Sequence, residues 1–143
     1  MKRVRKSGAG MKPVPAKPSE YYELRSAVVE MFYETLLTER YTIGQAASRS
    51  LVEFRREILG GGRDALVALA TIFSRVARHE PAALKRFGPE LEILHAISRN
   101  SLLWKGMGGG PRARLREDVN FVLERAAAGT ARRPKDLSLK GSP

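Results

Sequence analysis

With 143 residues, 43% of them apolar, the chain has the length of one domain and enough apolar side chains to bury a core. It has no cysteine, which excludes disulfides, thiolate metal sites, cysteine nucleophiles and thiol redox switching. The net charge of +11 is concentrated at the ends: residues 1–18 carry +6 and residues 129–143 carry +3, leaving +2 on everything between.

Residues 1–18 hold glycines, three prolines and no apolar periodicity, and read as a disordered basic arm. The opening MKRVRK runs into SGAGMKPVPAKP and not into an apolar stretch, so a secretory signal is not expected. No apolar run approaches bilayer length, so no membrane span is expected, and the expected compartment is the cytoplasm. Ser19 is placed as a helix N-cap, with Glu20 and Glu23 in the first turn, where the helix dipole favours acids. Leu24, Val28, Met31, Phe32, Thr35 and Leu36 follow at helical spacing and predict a helix over 19–38.

Thr42 and Gln45 have capping-box spacing. They open a helix over 43–59 whose stripe is Ala47, Leu51, Phe54 and Ile58, stopped by Gly60-Gly61-Gly62. Asp64 is read as the cap of a third helix, to His79, bearing Leu66, Leu69, Ala70, Phe73, Val76 and Ala77. Pro81 starts a short helix over 81–87 that Gly88 ends, and Pro89 starts another that reaches Trp104. Gly106 to Gly110 read as a joint. Pro111 opens the last helix, with Leu115, Val119, Val122 and Ala126 on one face, ended by Gly129. No segment alternates with period two, and no hairpin turn signal occurs. The expected fold is all-α: a compact bundle of about five to six helices over 19–128, between the basic arm 1–18 and a basic tail 129–143.

Chemistry-bearing residues are sparse. The two histidines, His79 and His95, share no helical ligand spacing, and Glu92-Ile93-Leu94-His95 is a single E-x-x-H pair where a di-iron bundle needs two. No G-x-S-x-G elbow, Walker A loop or dinucleotide fingerprint is present. No catalytic residue, metal site or cofactor is assigned, and the protein is read as not an enzyme. Tyr41 to Ala47 resembles the first helix of helix-turn-helix regulators locally, but Ser48 to Ile58 reads as unbroken helix, which leaves no room for the turn. Arg49, Glu53 and Arg56 share a helix face and are expected to pair with one another.

Phosphate contact is where the charges point. Lys2, Arg3, Arg5 and Lys6 in the first arm and Arg132 and Arg133 in the tail are candidate nucleic-acid contacts, as are Arg112, Arg114 and Arg116 behind the glycine joint. Arg112 and Arg116 share a helix face while Arg114 points roughly opposite, so the pair is expected to weigh more than Arg114. Trp104, beside Lys105 and the glycine joint, is the candidate anchor for a protein partner, the other reading being a helix-end plug of the core. Residues 19–39 carry −4, so the first helix is acidic on an otherwise basic body. Two functions are compatible with this. One is a nucleic-acid-associated accessory protein, DNA or RNA, such as a small helical subunit of a nucleoprotein assembly. The other is an interaction module of the inhibitor, immunity or adaptor kind, meeting a partner protein or a second copy through the acidic helix or Trp104.

Overall fold

A computed structural model describes residues 18–39, 42–105 and 107–135. Among them the chain forms seven α-helices, one 3-10 helix and no strand. The helices are α1 (Pro18–Glu39), α2 (Ile43–Glu53), α3 (Arg55–Gly60), α4 (Arg63–His79), a 3-10 segment (Pro81–Phe87), α5 (Gly88–Ser98), α6 (Ser101–Trp104) and α7 (Gly109–Lys135). The expected all-α bundle is the fold found.

α4 is its axis. Every residue from Ala65 to Ser74 is buried, as are Val76 and Ala77. The sequence interleaves large apolar residues with Ala65, Ala68, Ala70 and Ala77, all buried and spread around the helix. A helix that is apolar nearly all round must be surrounded, and α1, α2, α3, the 3-10 segment, α5 and α7 all pack against it. Asp64 in its first turn and Arg78 and His79 in its last complement the macrodipole. Ser74 donates its hydroxyl to the Thr71 carbonyl at 3.0 Å.

Several boundaries differ from the sequence reading, each for a local reason. Pro18 already lies in α1, so Ser19 falls inside the first turn and not at the cap. Gly62, not Asp64, is the N-cap of α4. The capping box at α2 is formed: the Gln45 N–H donates to Thr42 Oγ1 at 3.2 Å and the Thr42 N–H to Gln45 Oε1 at 2.9 Å. The helix expected over 43–59 is broken at Phe54, whose φ of −105° and ψ of 26° leave the helical region. Its N–H still reaches the Ser50 carbonyl and its carbonyl still receives the Ile58 N–H, both at 3.0 Å. This is a kink and not a helix-turn-helix turn. It separates Glu53 from Arg56, and the expected pairing of Arg49, Glu53 and Arg56 is not made. The stop at Gly61 is as expected, with φ +71°, a conformation that favours glycine.

The segment 81–87 winds as 3-10 helix and buries Ala83, Leu84 and Phe87. Gly88, expected to stop it, instead begins α5. The helix expected to continue to Trp104 ends at Ser98, because the Asn100 side chain accepts the Leu102 N–H at 3.1 Å and restarts the chain as α6. α7 begins at Gly109 and passes Gly129 to end at Lys135, so part of the expected tail is helical backbone.

Candidate nucleic-acid interface

The sequence-predicted residues separate into three groups. Lys2, Arg3, Arg5 and Lys6 lie outside the described residues. Arg132 and Arg133 belong to the backbone of α7, the same helix that carries Arg112, Arg114 and Arg116. Over 27 residues this helix extends about 40 Å at 1.5 Å per residue.

Arg112 and Arg116 are turned toward the segment that precedes α7. Arg112 donates from Nη2 to the Met107 carbonyl at 3.3 Å, and the Arg116 guanidinium sits 4.5 Å from the centre of the Trp104 ring. The expected common face of these two residues is therefore real, but both are engaged in holding the joint onto the helix. Trp104 is 6% exposed and donates its indole N–H to the Ser98 carbonyl at 2.9 Å. A buried indole whose one donor is satisfied plugs the core; it is not an exposed anchor.

Arg114 faces elsewhere, toward α1. An open depression of about 540 Å³ beside it is lined by Tyr22, Gly110, Ala113, Arg116, Glu117 and Asn120. One residue pair inward lies a group that the sequence reading missed. Asp118 is buried, 6% exposed, where α1, α4 and α7 meet. The nearest cation is Arg25 on α1, with its Nε 3.8 Å from Asp118 Oδ2. Burial pushes the Asp118 carboxyl above its ordinary value, against the opposing pull of Arg25, Arg75, Arg114 and Arg78. The charges that act on it most strongly are all arginines. Beside it, Tyr21 is pushed up to about 12, chiefly by burial.

The cationic row continues along α7. Arg78 approaches the Phe121 ring at 5.8 Å and Arg125 approaches it at 5.1 Å. Arg114, Asp118, Phe121 and Arg125 follow one another at spacings of four, three and four, one stripe of the helix. Arg75 and Arg78 stand three apart on α4. The signal was present: Asp118 interrupts the apolar stripe between Leu115 and Val122, a position where an acid is never free to face water.

The remaining polar features are structural in character. Tyr33 Oη and His79 Nε2 lie 2.6 Å apart and tie α1 to α4. His95 is exposed. Among the described residues no three His, Asp or Glu side chains gather as metal ligands, and no helix is long and apolar enough to cross a membrane. No protein-family model, no curated protein and no solved structure matches the chain.

Proposed function

We propose that the protein is a non-enzymatic nucleic-acid-associated accessory protein that holds phosphate backbones with little base readout. The observation that supports this best is α7. It carries Arg112, Arg114, Arg116, Arg125, Arg132, Arg133 and Lys135 against Glu117, Asp118 and Glu124, and it joins two segments of basic character on one helix. Surplus guanidiniums along a rod suit a repeating polyanion, and the +6 arm at residues 1–18 adds to the same field. The test is fluorescence anisotropy of labelled DNA and RNA, single- and double-stranded, over a salt series. Affinity falls steeply with salt, each neutralised phosphate adding about 0.7–0.9 to the log–log slope. Removing residues 1–17 flattens that slope. An absence of binding at low salt refutes the reading.

The alternative is an interaction module that meets a protein partner or a second copy. One observation favours it: Val52 and Leu59, on either side of the Phe54 kink, are 67% and 73% exposed. The acidic residues Glu23, Glu30 and Glu34 are exposed along α1 as well. Trp104 no longer supports this alternative, since it is buried.

A further inference from the structure

We infer that the junction of α1, α4 and α7 is a built site for one phosphate group, formed by Arg25, Arg75, Arg78 and Arg114 around Asp118. This rests on the nucleic-acid reading for the source of the phosphate, but not for the site's chemistry.

The inference begins with donors and acceptors. A guanidinium presents five N–H donors, and an ionised carboxylate accepts through two oxygens with about four lone-pair sites. Four guanidiniums therefore offer several times more donors than Asp118 can accept. None is hydrogen-bonded to it: the closest approach, 3.8 Å from Arg25 Nε, lies beyond the range of a charge-assisted bond. Arg25 Nε and Arg75 Nε are buried without a partner, and so is Asp118 Oδ2. Buried donors left unmade are costly, so native proteins rarely keep them without a use.

The charges lead to the same conclusion. With Asp118 ionised, the four arginines leave a surplus of three positive charges at the junction of three helices. The carboxylate paired within the junction is Asp118 itself, with Arg25, while Glu117 lines the open depression beside Arg114. Arg78 is partly stabilised by the Phe121 ring, and Arg25 and Arg75 are partly buried. Arg114 and Arg78 are exposed, so the cluster opens to solvent on one side. That combination of half-buried donors behind and exposed arginines in front suits a tetrahedral oxyanion. Arginine serves better than lysine here because its planar fork matches two phosphate oxygens at once. Asp118 offsets one of the four positive charges at a desolvation cost of its own, and its carboxylate opposes an anion that enters.

The ligand is a phosphate group, either a phosphodiester of a polynucleotide or a free phosphate compound. Two probes separate these sources: inorganic pyrophosphate, followed by calorimetry and by the shift in Tm, and a single-stranded oligonucleotide, followed by anisotropy. Both use the full chain. The Arg75→Gln, Arg114→Gln double variant is expected to weaken binding at least about tenfold, equivalent to about 1.4 kcal/mol. The Arg55→Gln, Arg56→Gln double variant on α3 removes the same charge from exposed positions near the opposite end of α4, and is expected to stay within about twofold, about 0.4 kcal/mol. Asp118→Asn is expected to tighten pyrophosphate several-fold, a result that a purely structural aspartate would not give. Should the first double variant lose its helical spectrum, Arg114→Gln alone carries the test, since that side chain is exposed. If both double variants weaken binding equally, or if Asp118→Asn weakens it, the site is overturned while the nucleic-acid reading survives. Pyrophosphate binding without oligonucleotide binding upholds the site and refutes the nucleic-acid reading. If neither probe binds the full chain, both fail.

Discussion

Replacing Phe73 and Phe54 separately by alanine tests the placement of the core and the kink together. Phe73 lies in the middle of α4 with no exposed surface and sits 5.3 Å from the Phe87 ring, centre to centre. A buried aromatic removes roughly 150–250 Å² from water. At about 25 cal/mol per Å² this is roughly 4–6 kcal/mol, an upper estimate because the unfolded chain is already partly collapsed. The surrounding side chains on α4's neighbours cannot close the gap, so Phe73→Ala should cost about 3–5 kcal/mol. The sequence reading gives Phe54 the same standing, as a stripe residue of an unbroken helix. In the structure Phe54 is only half-buried at a kink. Roughly half the transfer term remains and solvent fills the vacated space, so Phe54→Ala should cost about 1–2 kcal/mol. Urea unfolding followed by far-ultraviolet circular dichroism measures both, with equal m-values required for the comparison. Equal losses for the two variants would refute the kink and restore the continuous helix.

Two further predictions concern the junction. The Asp118 carboxyl is raised by burial, so its charged form is disfavoured in the fold: its favourable contribution is complete at acid pH below the ordinary aspartate value and is lost as pH rises through the folded value. Arg25 on α1, Arg75 and Arg78 on α4, and Arg114 and Tyr21 beside it are the groups that face it. Asp118→Asn should therefore be the more stable form at neutral pH, its advantage vanishing in acid; a variant less stable than the parent at pH 7 refutes this. Tyr21, raised to about 12, stays protonated in the fold while the unfolded tyrosine ionises near 10, so stability falls as pH climbs from 10 toward 12. Its hydroxyl is buried without a partner, so Tyr21→Phe should leave neutral stability unchanged or raise it by up to about 1 kcal/mol, and should flatten the alkaline loss. Thermal melts across the pH range measure both.

The fold was legible because its signals are local. Apolar residues recur at helical spacing through α1, α4 and α7, and the Thr42–Gln45 box and Gly61 mark ends by chemistry that acts over three or four residues. What was misread has a common cause. Phe54, Ser98 and Asn100 break helices through backbone angles and side-chain caps that compete with an apolar stripe passing straight over them. Gly129 has the composition of a stop, yet α7 continues. The site was less legible still. Arg25, Arg75, Arg78 and Asp118 lie on three helices separated by dozens of residues, and only packing brings them together. Trp104 was open in the sequence between an exposed anchor and a helix-end plug of the core, and its burial, with the indole N–H on a carbonyl six residues back, matches the plug.

The arginine junction also bears on how α1, α4 and α7 are held together. Three helices that converge on one carboxylate could have been joined by apolar packing alone, as α4 is joined to α5 and to the 3-10 segment. Replacing a buried ion pair by apolar residues of similar volume is often neutral or stabilising, so Arg25 and Asp118 are poorly explained as a stability device. At 3.8 Å, with desolvation outweighing attraction on the aspartate, this pair has the geometry of a weak contact. A cluster that repels itself in the empty state gains most when an anion arrives, because the ligand then removes both the charge surplus and the unmade donors. Ligand binding and folding stability are linked through the same free energy. Phosphate should therefore raise the melting temperature of the parent chain by more than that of the Arg75→Gln, Arg114→Gln variant, even where the variant starts out the more stable of the two. A higher starting stability combined with a smaller ligand response separates a binding site from a structural ion pair. Loss of a structural pair would lower the baseline and leave the response to phosphate unchanged.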